Sequence, residues 1–308
     1  MNDMNDINIA GENNSRSVFV AIVGRPNVGK STLINSLVGE KIAIVSDKPQ
    51  TTRNRITGIV TKDDLQFVFI DTPGLHKPRT KLNEYMIKQV GDSVADVDVA
   101  VLVTEPTGEI SPAEKELISN FEKLGLPAIL AVNKIDSLTK KEDMLEKIAL
   151  FSEAFDFDEI LPISAKTGDG VDLLMGMMER YASEGPHFFP DDAFTDQPER
   201  VIAAEIIREK LLLSLDKEVP HGTAVTIESM KEREDADILD IDAVICCEKA
   251  SHKGIIIGKG GAKLKTVASE ARIDMEAFFD IKVNLQCWVK VKEDWRNREG
   301  LMRNFGYV

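Results

Sequence analysis

The chain has 308 residues, 43% of them hydrophobic, enough for two ordinary cores at the usual domain size. It carries 38 Lys and Arg against 52 Asp and Glu, a net charge of −14, so no overall basic field advertises nucleic acid. Residues 249–298 run the other way, with 11 basic and 6 acidic side chains, which leaves room for a basic surface inside an acidic protein. Cys246, Cys247 and Cys287 have no metal-ligand spacing and sit in apolar, strand-like runs, so they read as reduced core thiols. No apolar run approaches the ~18 residues that read as a membrane span. Residues 1–16 are polar and Asn-rich, lack the pattern of a signal peptide and read as a disordered leader.

The first strand is expected over 18–23, and it runs straight into Gly24-Arg25-Pro26-Asn27-Val28-Gly29-Lys30-Ser31. Gly, four residues, then Gly-Lys-Ser between a strand and a helix is the pattern of a phosphate-binding loop. Its backbone N–H groups would cradle phosphate oxygens, Lys30 would reach the β/γ-phosphates, and the Ser31 hydroxyl would ligate Mg2+. Thr32 opens the helix expected over 30–38. Further strands are expected over 55–60, 66–70, 98–103, 127–132 and 159–163, with helices over 82–93, 112–123, 141–153 and 171–182. Runs such as Val99–Val103 and Ala128–Val132 do not alternate with polar residues, as suits parallel strands covered on both faces. This is an α/β, mostly parallel, doubly wound pattern, with the ligand expected at the carboxyl ends of the strands.

Three more segments follow strands and converge on one ligand. Asp71-Thr72-Pro73-Gly74 ends the third strand; Asp71 can hold Mg2+ and the Gly74 amide can meet the γ-phosphate. Asn133-Lys134-Ile135-Asp136 ends the fifth; the Asp136 carboxylate can accept two hydrogen bonds from guanine that adenine does not offer. Ser164-Ala165-Lys166 follows the sixth and can bring a backbone N–H to the guanine O6. In order, these loops resemble the Ras-like, translation-factor-related GTPases. The resemblance makes Thr52 the second hydroxyl ligand of Mg2+, in the loop Lys48–Asn54, with Thr51 as the alternative. Leu75 stands where many relatives have a water-positioning Gln, and the resemblance then points to Asn27 as a ligand for a stimulating K+ ion. Lys30, Thr52, Gly74 and Asn27 are thus the expected catalytic set. Arg25 and Arg53 are candidate cis arginines, read more simply as exposed loop residues.

Periodicity fails over the Pro-, Gly- and Asp-rich residues 185–198, read as a linker between domains at 17–184 and 199–308. The second domain is expected to start with a helix over 198–218. Strands over 223–231 and 239–248 follow, then a glycine turn, helices near 262–272 and 274–280, and a strand over 282–292. Gly258-Lys259-Gly260-Gly261 fits the Gly-x-x-Gly loop of KH domains, which clamps single-stranded nucleic acid by its backbone. Lys253, Lys259, Lys263 and Lys265 would supply counter-charge, and Ile255–Ile257 an apolar floor for bases. The acidic turn 231–237 is expected to face away from RNA.

A type II KH domain behind such a GTPase domain resembles the Era family of bacterial ribosome-assembly GTPases, over about residues 17–308. Further residues carry the match: 49–53, 71–76, 218–225, 288–292 and Trp295-Arg296. The resemblance implies a GTP/GDP switch with slow intrinsic turnover that binds the 3′ end region of 16S rRNA and assists maturation of the 30S subunit. It further implies a monomeric cytoplasmic protein, peripheral association with the cytoplasmic face of the inner membrane, and coupling of maturation to growth and division. The alternative is a constitutive RNA-binding assembly chaperone with a nearly idle nucleotide site.

Overall fold

A computed structural model describes residues 15–48, 51–72, 80–82, 84–86 and 96–307. The expectations for Pro73, Gly74 and Leu75 and for most of the leader lie outside the described residues, as does the end of the helix expected over 82–93; its residues 81, 82 and 84–86 are helical.

The first sheet is built from β1 (Arg16–Val23), β2 (Ile56–Lys62), β3 (Leu65–Asp71), β4 (Val99–Thr104), β5 (Ala128–Val132) and β6 (Glu159–Pro162), in the order β2-β3-β1-β4-β5-β6. All neighbours are parallel except β2 and β3, which form a hairpin. The turn places Asp63 at φ 53°, a left-handed conformation that Asp tolerates better than most residues. Alternate residues of β1 enter opposite cores. Val18, Val20 and Ile22 meet α1 (Lys30–Val38) and α4 (Val171–Met178), whereas Ala21 and Val23 meet α2 (Pro112–Leu124) and α3 (Lys141–Ala154). Helices on both faces are why this strand shows no alternation in sequence. α2 starts on a capping box, with Ser111 and Glu114 each accepting from the other's backbone N–H, and stops at Gly125 in a left-handed conformation.

Residues 183–198 are more than a tether. The short β7 (Ser183–Glu184) pairs antiparallel with Arg16 and Ser17. Beyond it the chain lies along the edge strand β2, where the Ile59 N–H donates to the Phe194 carbonyl at 2.9 Å. Gln66, fully buried, receives the Phe188 and Phe189 N–H groups and donates to the Phe189 carbonyl. The strap thus covers an edge that would otherwise expose unpaired backbone groups.

The second domain runs α5 (Glu199–Ser214), β8 (Thr223–Glu232), β9 (Ile238–Cys247), α6 (Ala250–Ile257), α7 (Ala262–Phe279) and β10 (Lys282–Val291), with sheet order β10-β9-β8. β10 is parallel to β9 and β8 antiparallel. Three expectations need correction. The first helix ends at Ser214 rather than 218, because Leu215 turns extended and Lys217 left-handed ahead of Pro220. The two helices expected within 262–280 are one continuous helix, since nothing between 272 and 274 breaks the periodicity. The other helix of the pair lies before the glycine turn, at 250–257, where no element was expected and Ile255–Ile257 was read only as an apolar floor. A closing segment, with a 3-10 turn at Trp295–Asn297 and α8 (Glu299–Asn304), packs under the sheet as a cap.

Candidate nucleotide and RNA sites

The loop after β1 has its conformation set by close approach. A Cβ on Gly24, at φ 148°, would meet the Val103 carbonyl oxygen at 2.3 Å. A Cβ on Gly29, at φ 99°, would meet Asn133 Nδ2 at the same distance. Val28 is fully buried between them. Pro26, Asn27, Gly29, Lys30, Ser31, Thr32, Ile44, Val45, Ser46, Asp47, Thr51, Thr52 and Lys134 line one cavity. Inside it the Lys30 ammonium is buried and donates to the Gly24 and Arg25 carbonyls at 3.1 and 2.8 Å.

Three oxygens meet beside Lys30. The Ser31 and Thr52 hydroxyls lie 2.9 Å apart, and both donate to Asp71 Oδ2, at 3.0 and 3.3 Å. Thr51 turns away and donates to the Lys48 carbonyl at 2.7 Å. Asp71 is fully buried at the end of β3, and its Oδ1 has no hydrogen-bond partner among the described residues. Burial pushes its carboxyl up to about 6, against the pull of the Lys30 ammonium. Burial likewise takes Lys30 down to about 8, with Asp71 pulling the other way. A cation on Asp71 and an anion on Lys30 would each relieve that cost. Two hydroxyls and one carboxylate, whose second oxygen is orphaned, form an all-oxygen set that suits a hard cation such as Mg2+. Thr72 lies next along, its hydroxyl donating to the Ile22 carbonyl.

Of the residues expected to read guanine, Lys134 lines the cavity and the rest do not; Asn133 joins them to it. Its amide donates to the Val28 carbonyl at 2.8 Å and its Oδ1 accepts the Ala165 N–H at 2.9 Å. Ile135 opens a 3-10 turn that carries Asp136, and the Ser164 hydroxyl donates to Asp136 Oδ1 at 2.8 Å. The other Asp136 oxygen is then left for a base. The Ser164 and Ala165 amides, expected at the guanine O6, are engaged by Asp169 and Asn133, and Lys166 is exposed. Lys134, left-handed at φ 67°, donates to the Asn27 carbonyl and to Glu105. Asn27 is also left-handed, and its amide donates to the Asp47 carbonyl of the facing loop.

Sequence reasoning missed Glu105 and Glu114, which pair with Arg25 at 3.4 and 3.3 Å and so brace the phosphate loop from outside. Glu105 follows β4 directly, at the carboxyl edge where such residues are expected, and that was the available signal. Arg53 is corrected outright: it is 1% exposed and donates to second-domain carbonyls, so it cannot reach a phosphate.

In the second domain Gly258, Gly260 and Gly261 all have positive φ. A Cβ on Gly258 would meet Lys263 Cβ at 2.8 Å, whereas Gly260 and Gly261 face open space. That open stretch caps the N-terminus of the 18-residue α7 with no side-chain acceptor, leaving backbone N–H groups for an anion. Lys253 and Lys259 are exposed beside it and Lys263 half-buried. Ile255–Ile257 is not a floor: on a helix only Ile255 is well exposed, and Ile256 is core. The acidic turn lies at the far end of α7, since Phe279 leads into Lys282, which pairs with Ile238. A helix of 18 residues puts about 27 Å between its two ends.

A family described as "50S ribosome-binding GTPase" matches residues 19–134, and one described as "KH domain" matches residues 218–296. "GTPase Era" of Clostridioides difficile (strain 630) is 51% identical over 292 residues, covering 95% of this chain and 98% of that protein. "GTPase Era" of Alkaliphilus metalliredigens (strain QYMF) is 50% identical, with 95% and 99% covered. Among solved structures, a single-residue variant of Aquifex aeolicus Era bound to GDP.AlF4- superimposes with a TM-score of 0.91 at 38% identity, covering 95% of this chain and 99% of that one. Era in complex with MgGDPNP and nucleotides 1506-1542 of 16S ribosomal RNA gives the same TM-score and identity, with 96% and 99% covered. Two domains in the same order, over nearly the full length of each relative, leave one assignment: the chain belongs to the Era family of GTPases.

Proposed function

We propose that the chain is a GTP-hydrolysing switch that binds the 3′-terminal region of 16S rRNA and assists maturation of the small ribosomal subunit. The observation that carries it is the meeting of Ser31, Thr52 and Asp71 beside the buried Lys30. Ser31, Thr52 and Asp71 would hold Mg2+, which neutralises charge on the β- and γ-phosphate oxygens. Lys30 adds a point charge on the same oxygens, and loop amides from Pro26 to Ser31 orient them. Asp136 accepts from the guanine edge. Asn27 is assigned to a K+ ion that stands in for an arginine finger, because Leu75 cannot orient water. Hydrolysis that runs equally fast in KCl and NaCl would remove that role.

Lys253, Lys259 and Lys263 with Gly258, Gly260 and Gly261 clamp the RNA backbone. Affinity for a 16S 3′-end oligonucleotide is expected to differ between GDP and a non-hydrolysable GTP analogue. Equal affinities would favour the idle-site chaperone instead. The protein works as a monomer in the cytoplasm. Any membrane association is read as peripheral, at the cytoplasmic face of the inner membrane; no helix among the described residues is long and apolar enough to cross a bilayer.

A further inference from the structure

The loop that carries Thr52 is gripped along its length by the second domain. The Val45 N–H donates to Glu209 at 2.9 Å. Lys48 donates to the Leu212 and Leu215 carbonyls, at the C-terminal end of α5, where a cation also meets the negative end of the helix dipole. The fully buried Arg208 donates to the Thr51 carbonyl. Arg53 goes deepest. Its guanidinium donates to the Thr223 carbonyl at 2.7 Å, the His221 carbonyl at 2.9 Å and the Tyr307 hydroxyl at 3.3 Å. It lies 5.6 Å from the centre of the Trp295 ring and 5.7 Å from that of Tyr307.

An arginine fork is the side chain best able to fix direction and distance at once, because its planar donors match several acceptors while its face stacks on rings. Taking it out of water is costly unless those acceptors are in place. The same cap touches the chain beyond Asp71: Leu82 and Met86 pack with Trp295, Met302 and Tyr307, and Lys81 pairs with Glu299 at 2.6 Å.

We propose that Arg53, seated against the stacked pair of Trp295 and Tyr307, is the positioning residue that holds Thr52 against Ser31 and Asp71, so that the C-terminal cap completes the metal site in cis. This rests on the reading of Ser31, Thr52 and Asp71 as Mg2+ ligands. Thr52 and Arg53 are consecutive, so the anchored guanidinium leaves the peptide between them little freedom. A ligand displaced by about 1 Å can cost on the order of a hundredfold in rate.

The test uses the full chain with Arg53→Ala and, in the other domain, Tyr307→Ala. Each is expected to lower single-turnover GTP hydrolysis by about tenfold to a hundredfold and to raise the Mg2+ concentration for half-maximal rate, with GDP affinity unchanged. The double variant is expected to be no slower than the slower single one, since both remove one contact. Tyr307→Phe keeps the ring and is expected to restore most of the rate, which also covers the case in which an alanine variant does not fold. Unchanged hydrolysis and Mg2+ dependence in folded Arg53→Ala, or losses that simply add in the double variant, overturn the proposal. A parent chain with no Mg2+-dependent hydrolysis overturns the metal-site reading itself, whereas a normal parent with normal variants overturns only the anchoring.

Discussion

Single residues decide the base and the loop shape. Asp136 accepts the Ser164 hydroxyl on one oxygen, and the proposed guanine contact falls to the other. Asp136→Asn replaces an acceptor with a donor. Guanine nucleotides are expected to bind on the order of a hundredfold more weakly, from about 3 kcal/mol of lost charged hydrogen bonding. Xanthosine nucleotides, whose donor pattern is altered to match the amide, are expected to bind better; competition binding with the two bases measures both, and an unchanged preference removes Asp136 from the base. The glycines at 24 and 29 were legible for the right reason, because backbone and side-chain atoms stand 2.3 Å from where a Cβ would be. The hydroxyl choice in Thr51-Thr52 rested on the family resemblance, which favoured Thr52 and kept Thr51 as the alternative. Two neighbouring threonines look alike in sequence, and only the path of the loop turns Thr52 to Ser31 and Thr51 to Lys48.

Elements decide where anions and edges go. Lys259 stands exposed at the open glycine turn before α7, in contact with neither the nucleotide cavity nor its braces. Lys259→Asp is expected to weaken RNA binding uniformly across sequences, with the slope of log affinity against log salt reduced by about 1, while basal GTP hydrolysis stays at the parent level. A salt titration of oligonucleotide binding reads the slope, and an unchanged slope takes Lys259 off the backbone. The strap over 183–198 carries a pH-sensitive contact. His187 faces the Asp191 carboxylate at 2.7 Å and the Asp64 carbonyl at 3.0 Å, with the Asp64 carboxylate nearby, and the Asp191 hydrogen bond raises it above its ordinary value of 6.5. A raised histidine stabilises the fold fully below the unfolded value, and this contribution is lost as pH rises through the folded one. Thermal stability is therefore expected to fall as pH rises above about 6.5, and His187→Ala is expected to flatten that part of the profile. The strap was read as a linker because Pro, Gly and Asp dominate it. Its pairing with β2 rests on backbone groups, which leave no mark in composition.

At the scale of the whole molecule, the cap joins the two domains. Met302 is 4% exposed in a cluster with Leu82 and Met86 from the first domain and Val244 and Cys246 from the second. Met302→Ala is expected to cost about 2–5 kcal/mol, with the two domains melting separately where the parent melts as one. Differential scanning calorimetry distinguishes this from a single shifted transition.

The nucleotide chemistry was readable along the chain because each part of it is local. A phosphate loop, a carboxylate at a strand end and an Asn-Lys-x-Asp turn each need only a few consecutive residues after a strand, and the apolar runs reveal the strands. The glycine turn of the second domain is local in the same way. What lies between the domains was decided by packing alone. Arg53 meets the Thr223 carbonyl 170 positions away and the Tyr307 hydroxyl 254 positions away. No short pattern encodes partners at such separations. In sequence Arg53 looks like any loop cation; burial against an aromatic pair and backbone carbonyls makes it an anchor. The three isoleucines at 255–257 show the same limit, because an apolar triplet fits a strand or a helix until the sheet beneath it selects one face.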